Sequence, residues 1–323
     1  MSKKYQMDPI TTREAFGNAM FRVAQRDKMV AAVSADTPKS LGFGKMMEAY
    51  PERALNCGIA EQNMMALAAG MAAEGYLTFA ASYGTFTCMR ALEQFRTFVA
   101  YPNLNVKVAG GMAGLSGGVE GVTHQSIEDI GIMRTIPNCV VAVPADAAST
   151  EVITEELAKH YGPAYIRLGR GKSATVFDEN YHFELGKANL LGDGADVTII
   201  CCGSTVRRCI DAREQLARRG IHARLLEMPC IKPLDEEAVL KAARETGAIV
   251  TAEENTIIGG LGGAVAELLG EKCPTVMKRC GVPDVFAESG ELDDLMDVYG
   301  LSVADIMEAA ASLAEGGRGA AAC

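Results

Sequence analysis

Gly58-Ile59-Ala60-Glu61-Gln62-Asn63-Met64-Met65-Ala66-Leu67-Ala68 is the stretch on which the fold of this chain turns. Residues 54–58 are few and mostly apolar, the end of a strand. From 61 to 74, Met64, Met65, Leu67, Ala68 and Met71 recur at helical spacing and make one apolar face. Glu61 therefore falls in the first turn of a largely buried helix, where the helix dipole favours a carboxylate. Its neighbours are nearly all apolar, so in a dry site its charge needs a partner.

The alternation of strand and helix extends outward in both directions. Upstream, the spacing predicts a helix over 11–26 capped by Thr11 or Thr12, a strand over 29–34, a loop at Asp36-Thr37-Pro38 and a short helix over 41–50. Downstream, strands are expected at 77–82, 105–109, 139–143 and 164–168, with helices at 126–134 and 147–161. Residues 110–121 are glycine-rich and read as a flexible loop able to approach a ligand closely. The polar stretch 169–193 breaks the rhythm, and the pattern then restarts. Strands follow at 197–202, 223–228, 248–252 and 275–279, and helices at 205–219, 235–246, 261–269 and 302–313. This is an α/β chain of two domains, each expected to be a mostly parallel sheet with helices on both faces. The domains are placed at 1–180 and 193–315, joined by a linker at 181–192 and followed by a flexible tail at 316–323.

A chain of 323 residues is long enough for two cores. With 49% hydrophobic and 22% charged residues, the composition is ordinary for a globular protein. A net charge of -10 argues against a nucleic-acid or anionic-membrane surface. Any anionic ligand must be met by local cations. The ten cysteines form no CxxC pair and read as reduced thiols of a cytosolic protein. Met1 to Gln6 carries no signal-peptide pattern, and the apolar run at 64–73 is too short to span a bilayer. The cytoplasm is the expected location.

Two further blocks, Ser82-Tyr83-Gly84-Thr85-Phe86 and Glu120-Gly121-Val122-Thr123-His124-Gln125, follow the first. In this order and spacing the three blocks resemble the pyrimidine-binding domain of transketolases and the related deoxyxylulose-phosphate synthases, enzymes that use thiamine diphosphate. The resemblance implies a role for each motif residue. Glu61 touches the cofactor's pyrimidine ring. Phe86 is the stacking aromatic, with Tyr83 on the same loop, and Asp36 lies by the cofactor. His124 faces the reacting sugar, so Glu61 and His124 are the expected catalytic pair. Glu120 replaces the family's aspartate that binds a donor hydroxyl. Arg13, Ser40 and Arg170 clamp the sugar phosphate, since guanidinium groups match phosphate oxygens bidentately. Arg167 is a nearby competitor for the second arginine's part.

Two departures stand out. Met112 falls where the family has a second substrate-facing histidine, and a thioether donates no hydrogen bond. The family's N-terminal domain, with the metal-binding Gly-Asp-Gly and a later asparagine, has no counterpart in this sequence. Its Gly192-Asp193-Gly194 has no such sequel and reads as a turn. The chain thus resembles the C-terminal subunit of a split transketolase, a pyrimidine-binding domain followed by a transketolase C-terminal domain. That implies thiamine diphosphate, with Mg2+ held by an N-terminal transketolase subunit, an α2β2 assembly and ketol transfer between sugar phosphates. The enzyme alternatives are a split deoxyxylulose-phosphate synthase and a 2-oxo acid dehydrogenase beta subunit. A non-catalytic scaffold subunit is the alternative of a different class. In the second domain Glu253-Glu254-Asn255 and Gly259-Gly260-Leu261-Gly262 resemble the family, without a chemical task attached.

Overall fold

The computed structural model describes residues 5–316. Seven strands form the first sheet: β1 (Val30–Ser34), β2 (Ala54–Asn56), β3 (Leu77–Tyr83), β4 (Val106–Gly111), β5 (Val140–Ala142), β6 (Ala164–Arg167) and β10 (Cys230–Lys232). Their order is β10-β5-β6-β4-β3-β1-β2. All neighbours are parallel except β10, which runs antiparallel to β5. The second sheet has five strands, β7 (Asn189–Gly192), β8 (Val197–Cys201), β9 (Ala223–Glu227), β11 (Ala248–Thr256) and β12 (Val276–Val282), ordered β12-β11-β8-β9-β7. Here only β7 is antiparallel to its neighbour. The two-domain α/β architecture expected from the sequence is the one observed.

Strand residues alternate between the two faces of the first sheet. Val33, Ala80, Val106 and Val108 pack with Met64, Met65 and Phe95 on one side. Ala32, Phe79 and Ala81 pack with Phe16, Met20, Ile153 and Leu157 on the other. Both faces are dry, which is why these strands read as continuous apolar runs rather than alternating ones. The first of these cores continues into the second domain through Ile200, Leu226, Val239 and Val265. The two domains therefore share buried surface.

Some expectations need correction. Asn189–Gly192, inside the stretch read as linker, forms β7 at the edge of the second sheet. Its half-exposed residues give no strand periodicity. β10 was not expected: three residues between Pro229 and Pro233 are too short to show a pattern, yet they extend the first sheet from the second half of the chain. Gly114–Glu120, in the stretch read as flexible, is wound into 3-10 turns with Gly114 to Gly118 buried. The helices Phe86–Arg90 and Phe95–Ala100, both π-type, and Leu292–Val298 were also unforeseen. Among the described residues eight cysteines carry free thiols, as expected, but Cys273 is disulfide-bonded. Residues 317–323 of the expected tail lie outside the described residues.

Candidate functional site

Glu61 is the first residue of helix Glu61–Ala73 and is 2% exposed. The partner that its burial demands is Arg90, whose Nη1 lies 2.9 Å from Glu61 Oε2. Arg90 closes the π-turn Phe86–Arg90, and its guanidinium carbon stands 4.4 Å from the centroid of the Phe86 ring. One half-exposed cation thus holds a buried carboxylate and covers an aromatic face.

Tyr83, Phe86 and His124 come together as a cluster of rings. Tyr83 to His124 and Phe86 to His124 are each 5.5 Å between centroids, and Tyr83 to Phe86 is 6.0 Å. Gly84 makes this possible. A Cβ there would lie 2.9 Å from the Cβ of Ser126, so only glycine lets the end of β3 abut the segment that carries His124. The imidazole Nδ1 is 3.0 Å from Thr123 Oγ1, leaving Nε2 as the ring's other polar atom.

Arg13 projects from the first turn of helix Thr12–Arg26, which is closed by a capping box between Thr11 and Glu14. Gly17 and Gly42 let the loop after β1 press onto this helix. A Cβ on Gly17 would lie 2.1 Å from Gly42 O, and one on Gly42 would lie 2.4 Å from Arg13 O. The close approach brings Arg13 Nη1 to 2.8 Å from Ser40 O and 2.7 Å from Ser40 Oγ. Nη2 donates to the carbonyl of Arg170 at 2.5 Å. Burial lowers the Arg13 pKa, and its Nε has no hydrogen-bond partner among the described residues. Arg170 itself pairs with Glu120, Nη1 to Oε2 at 2.6 Å. Tyr83 Oη, 3.5 Å from Ser40 Oγ, joins this group to the ring cluster.

Eight of the nine nominated residues therefore form one run of contacts. It leads from Glu61 through Arg90, Phe86, His124, Tyr83, Ser40 and Arg13 to Arg170 and Glu120. Asp36 stands beside it. Its side chain accepts from Asn56 Nδ2 at 3.3 Å, and Asn56 Oδ1 also accepts the N–H of Gly58, just before Glu61. Arg167 is not part of this run of contacts. It is buried, Nε bonds both oxygens of Asp129 at 3.0 and 2.9 Å, and Nη2 donates to Ser126 O and Glu254 O. Met112 is buried at the end of β4 with φ +54°. Among the described residues no group of three or more His, Cys, Asp or Glu side chains could hold a metal ion. A cavity of about 460 Å3 is lined by Arg13 and Arg170 from the first domain and by Ser204, Arg207 and Asp293 from the second. Its second-domain arginines are already neutralised, Arg207 by Asp211 and Arg208 by Asp293 and Asp297.

Residues 8–175 match the transketolase pyrimidine-binding domain, and 186–306 match the transketolase C-terminal domain. The chain belongs to the transketolase family. It is 42% identical to the 6-deoxy-6-sulfo-D-fructose transketolase subunit SqwH of Clostridium sp. (strain MSTE9), over 94% of each chain. To one of the chains of the apulose-4-phosphate transketolase of Phocaeicola vulgatus it is 38% identical, over 93% of this chain and 96% of that one. It superimposes on a split-gene transketolase solved as an inactive beta4 tetramer with a TM-score of 0.88 and 42% identity, covering 95% of this chain and 99% of that one. Within this transketolase fold, Arg90 is the site residue that the sequence motifs did not nominate. The demand of Glu61 for a cation and an arginine four residues after Phe86 were the signals that could have found it. No helix among the described residues is long and apolar enough to cross a membrane.

Proposed function

We propose that this chain is the pyrimidine-side catalytic subunit of a thiamine-diphosphate-dependent transketolase. It moves a two-carbon ketol unit from a ketose phosphate to an aldose phosphate, together with a separate N-terminal subunit. The observation that carries this reading is the unbroken run of contacts from buried Glu61, past the ring cluster, to the Arg13–Ser40–Arg170 group. A carboxylate, an aromatic face, an imidazole and an anion clamp are the groups that the family's chemistry requires, in the order a bound cofactor and sugar would meet them.

The residues present fit the pyrimidine half of the cofactor. Glu61 is a desolvated carboxylate and Phe86 a half-buried ring beside it. When bound, thiamine diphosphate supplies the carbanion sink for cleaving and forming the carbon–carbon bond. Glu61 hydrogen-bonds the pyrimidine ring nitrogen and holds the proton there. Phe86 stacks the ring, with Tyr83 and Asp36 beside it. His124 donates to or accepts from the sugar's reacting oxygen through Nε2. Glu120 binds a donor hydroxyl. Arg13, Ser40 and Arg170 bind the terminal anion and fix the sugar's position. The diphosphate and its Mg2+ belong to the partner chain, within an α2β2 assembly in the cytoplasm. Residues 1–180 form the pyrimidine-binding unit, and the transketolase C-terminal unit begins with β7 and runs to residue 315.

The test is reconstitution with the N-terminal subunit, thiamine diphosphate and Mg2+, followed by ketol-transfer assays across phosphorylated and sulfonated donors. Glu61→Ala should remove nearly all activity. Full activity in that variant would overturn the assigned role. Carbon dioxide release from pyruvate, instead of ketol transfer, would favour the synthase or dehydrogenase alternatives.

A further inference from the structure

Glu254 lies in β11 of the second domain and is 4% exposed. Both carboxylate oxygens are used. Oε1 accepts the N–H of Ser116 at 3.0 Å, across the domain boundary, and Oε2 accepts the hydroxyl of Ser204. Ser116 passes the constraint on. Its Oγ donates to Ala113 O at 2.6 Å and accepts the N–H of Arg170 at 3.1 Å. The carbonyl of Arg170 in turn receives Arg13 Nη2. Glu254 is itself fixed, because its carbonyl accepts Arg167 Nη2 at 2.7 Å and Arg167 is locked on Asp129.

Local backbone shape supports the same path. Gly114 has φ +64°, and a Cβ there would lie 2.5 Å from Glu254 Oε1. Glycine lets the 113–116 turn close directly onto the carboxylate. Two more bonds from the second domain pin the far end of the segment. Gln125 Nε2 donates to Glu288 O at 2.9 Å, and Gly290 N donates to Gly118 O at 3.4 Å.

We infer that Glu254, acting through Ser116, is a positioning residue that sets Arg170 and Arg13 for the terminal phosphate of the sugar. The second domain then has a task in substrate recognition without touching substrate. The inference rests on the reading of Arg13 and Arg170 as the phosphate clamp. A carboxylate suits the position because two donors converge on its two oxygens, and each unmade bond at a buried site is costly.

The experiment uses the reconstituted enzyme and two donors, fructose 6-phosphate and fructose. Ser116→Ala should raise KM for the phosphorylated donor about tenfold, leaving kcat and KM for the phosphate-free sugar unchanged. Glu254→Ala should do the same, and combining the two should add nothing, because both break one path. Glu254→Gln should stay near the parent, since its amide oxygen still accepts from Ser116 and its NH2 reaches Ser204. An equal change for both donors would mean that Glu254 and Ser116 serve only the fold, and would overturn the inference. Arg170→Ala separates the remaining outcomes. If it raises KM for the phosphorylated donor while Ser116→Ala does not, the positioning path is wrong and the clamp stands. If neither variant raises KM, the clamp reading and the inference fall together. Ser116→Ala alone keeps the test decisive if Glu254→Ala does not assemble.

Discussion

Arg90 reaches Glu61 across the face of Phe86, with Nη1 2.9 Å from Glu61 Oε2 and its guanidinium carbon 4.4 Å from the ring centroid. One cation therefore engages the two groups assigned to the cofactor's pyrimidine. Its half-exposure moderates the strength of the pair, but Glu61 is buried and shielded from solvent. Arg90→Ala should destabilise the isolated chain by about 1–2 kcal/mol, read from urea unfolding. Arg90→Lys should restore part of that loss, as a point charge without the planar fork. An unchanged unfolding midpoint in Arg90→Ala would show that Glu61 is satisfied without the cation.

The Gly17–Gly42 contact should be as sensitive as the clamp it supports. A Cβ on Gly17 would meet backbone, Gly42 O at 2.1 Å, so the loop carrying Ser40 must move. Gly17→Ala should cost about 1–3 kcal/mol of stability and raise KM for phosphorylated donors, with cofactor affinity unchanged. Steady-state kinetics and cofactor titration of the reconstituted enzyme check this. Loss of cofactor binding instead would show that the loop supports the pyrimidine side too.

The sequence exposes the parts of this site that lie in short contiguous motifs. Glu61 is legible because it opens a helix with a clear apolar face, whereas Tyr83, Phe86 and His124 are legible as members of short motifs that resemble the family's, and Gly84 lets the end of β3 abut the segment that carries His124. Arg13, Ser40 and Arg170 are legible only through resemblance, since their meeting depends on glycine contacts far apart in the chain. Arg90 escaped because a π-turn, not an ordinary helical turn, aims it back over Phe86. The 114–120 segment looks flexible from its glycines. Its residues 114–118 are buried where Glu254 and Gly290 of the other domain grip them, a tertiary effect with no local signature. β7 and β10 escaped for a simpler reason: edge strands of four and three residues carry too little pattern to read.

A pH dependence should arise far from the site. Burial pushes the Glu227 carboxyl up to about 7, against the hydrogen bonds from Asn189 and Tyr181. The folded pKa exceeds the unfolded one, so the folded state holds the extra proton between about pH 4.5 and 7. That stabilisation is complete below the unfolded value and is lost as pH rises through 7. Glu227→Gln, which cannot ionise, should flatten the fall in stability from pH 5 to pH 8 by about 1–3 kcal/mol. Urea unfolding at both pH values measures it, and parallel curves for parent and variant would contradict the assignment.

Calorimetric titration of thiamine diphosphate with Mg2+ tests the central claim most directly, using this chain alone, the N-terminal subunit alone and the two together. A cofactor site shared between chains predicts tight binding only to the pair, weakened when this chain carries Phe86→Ala. Tight binding by this chain alone would contradict the account, because a complete cofactor site would then lie within it.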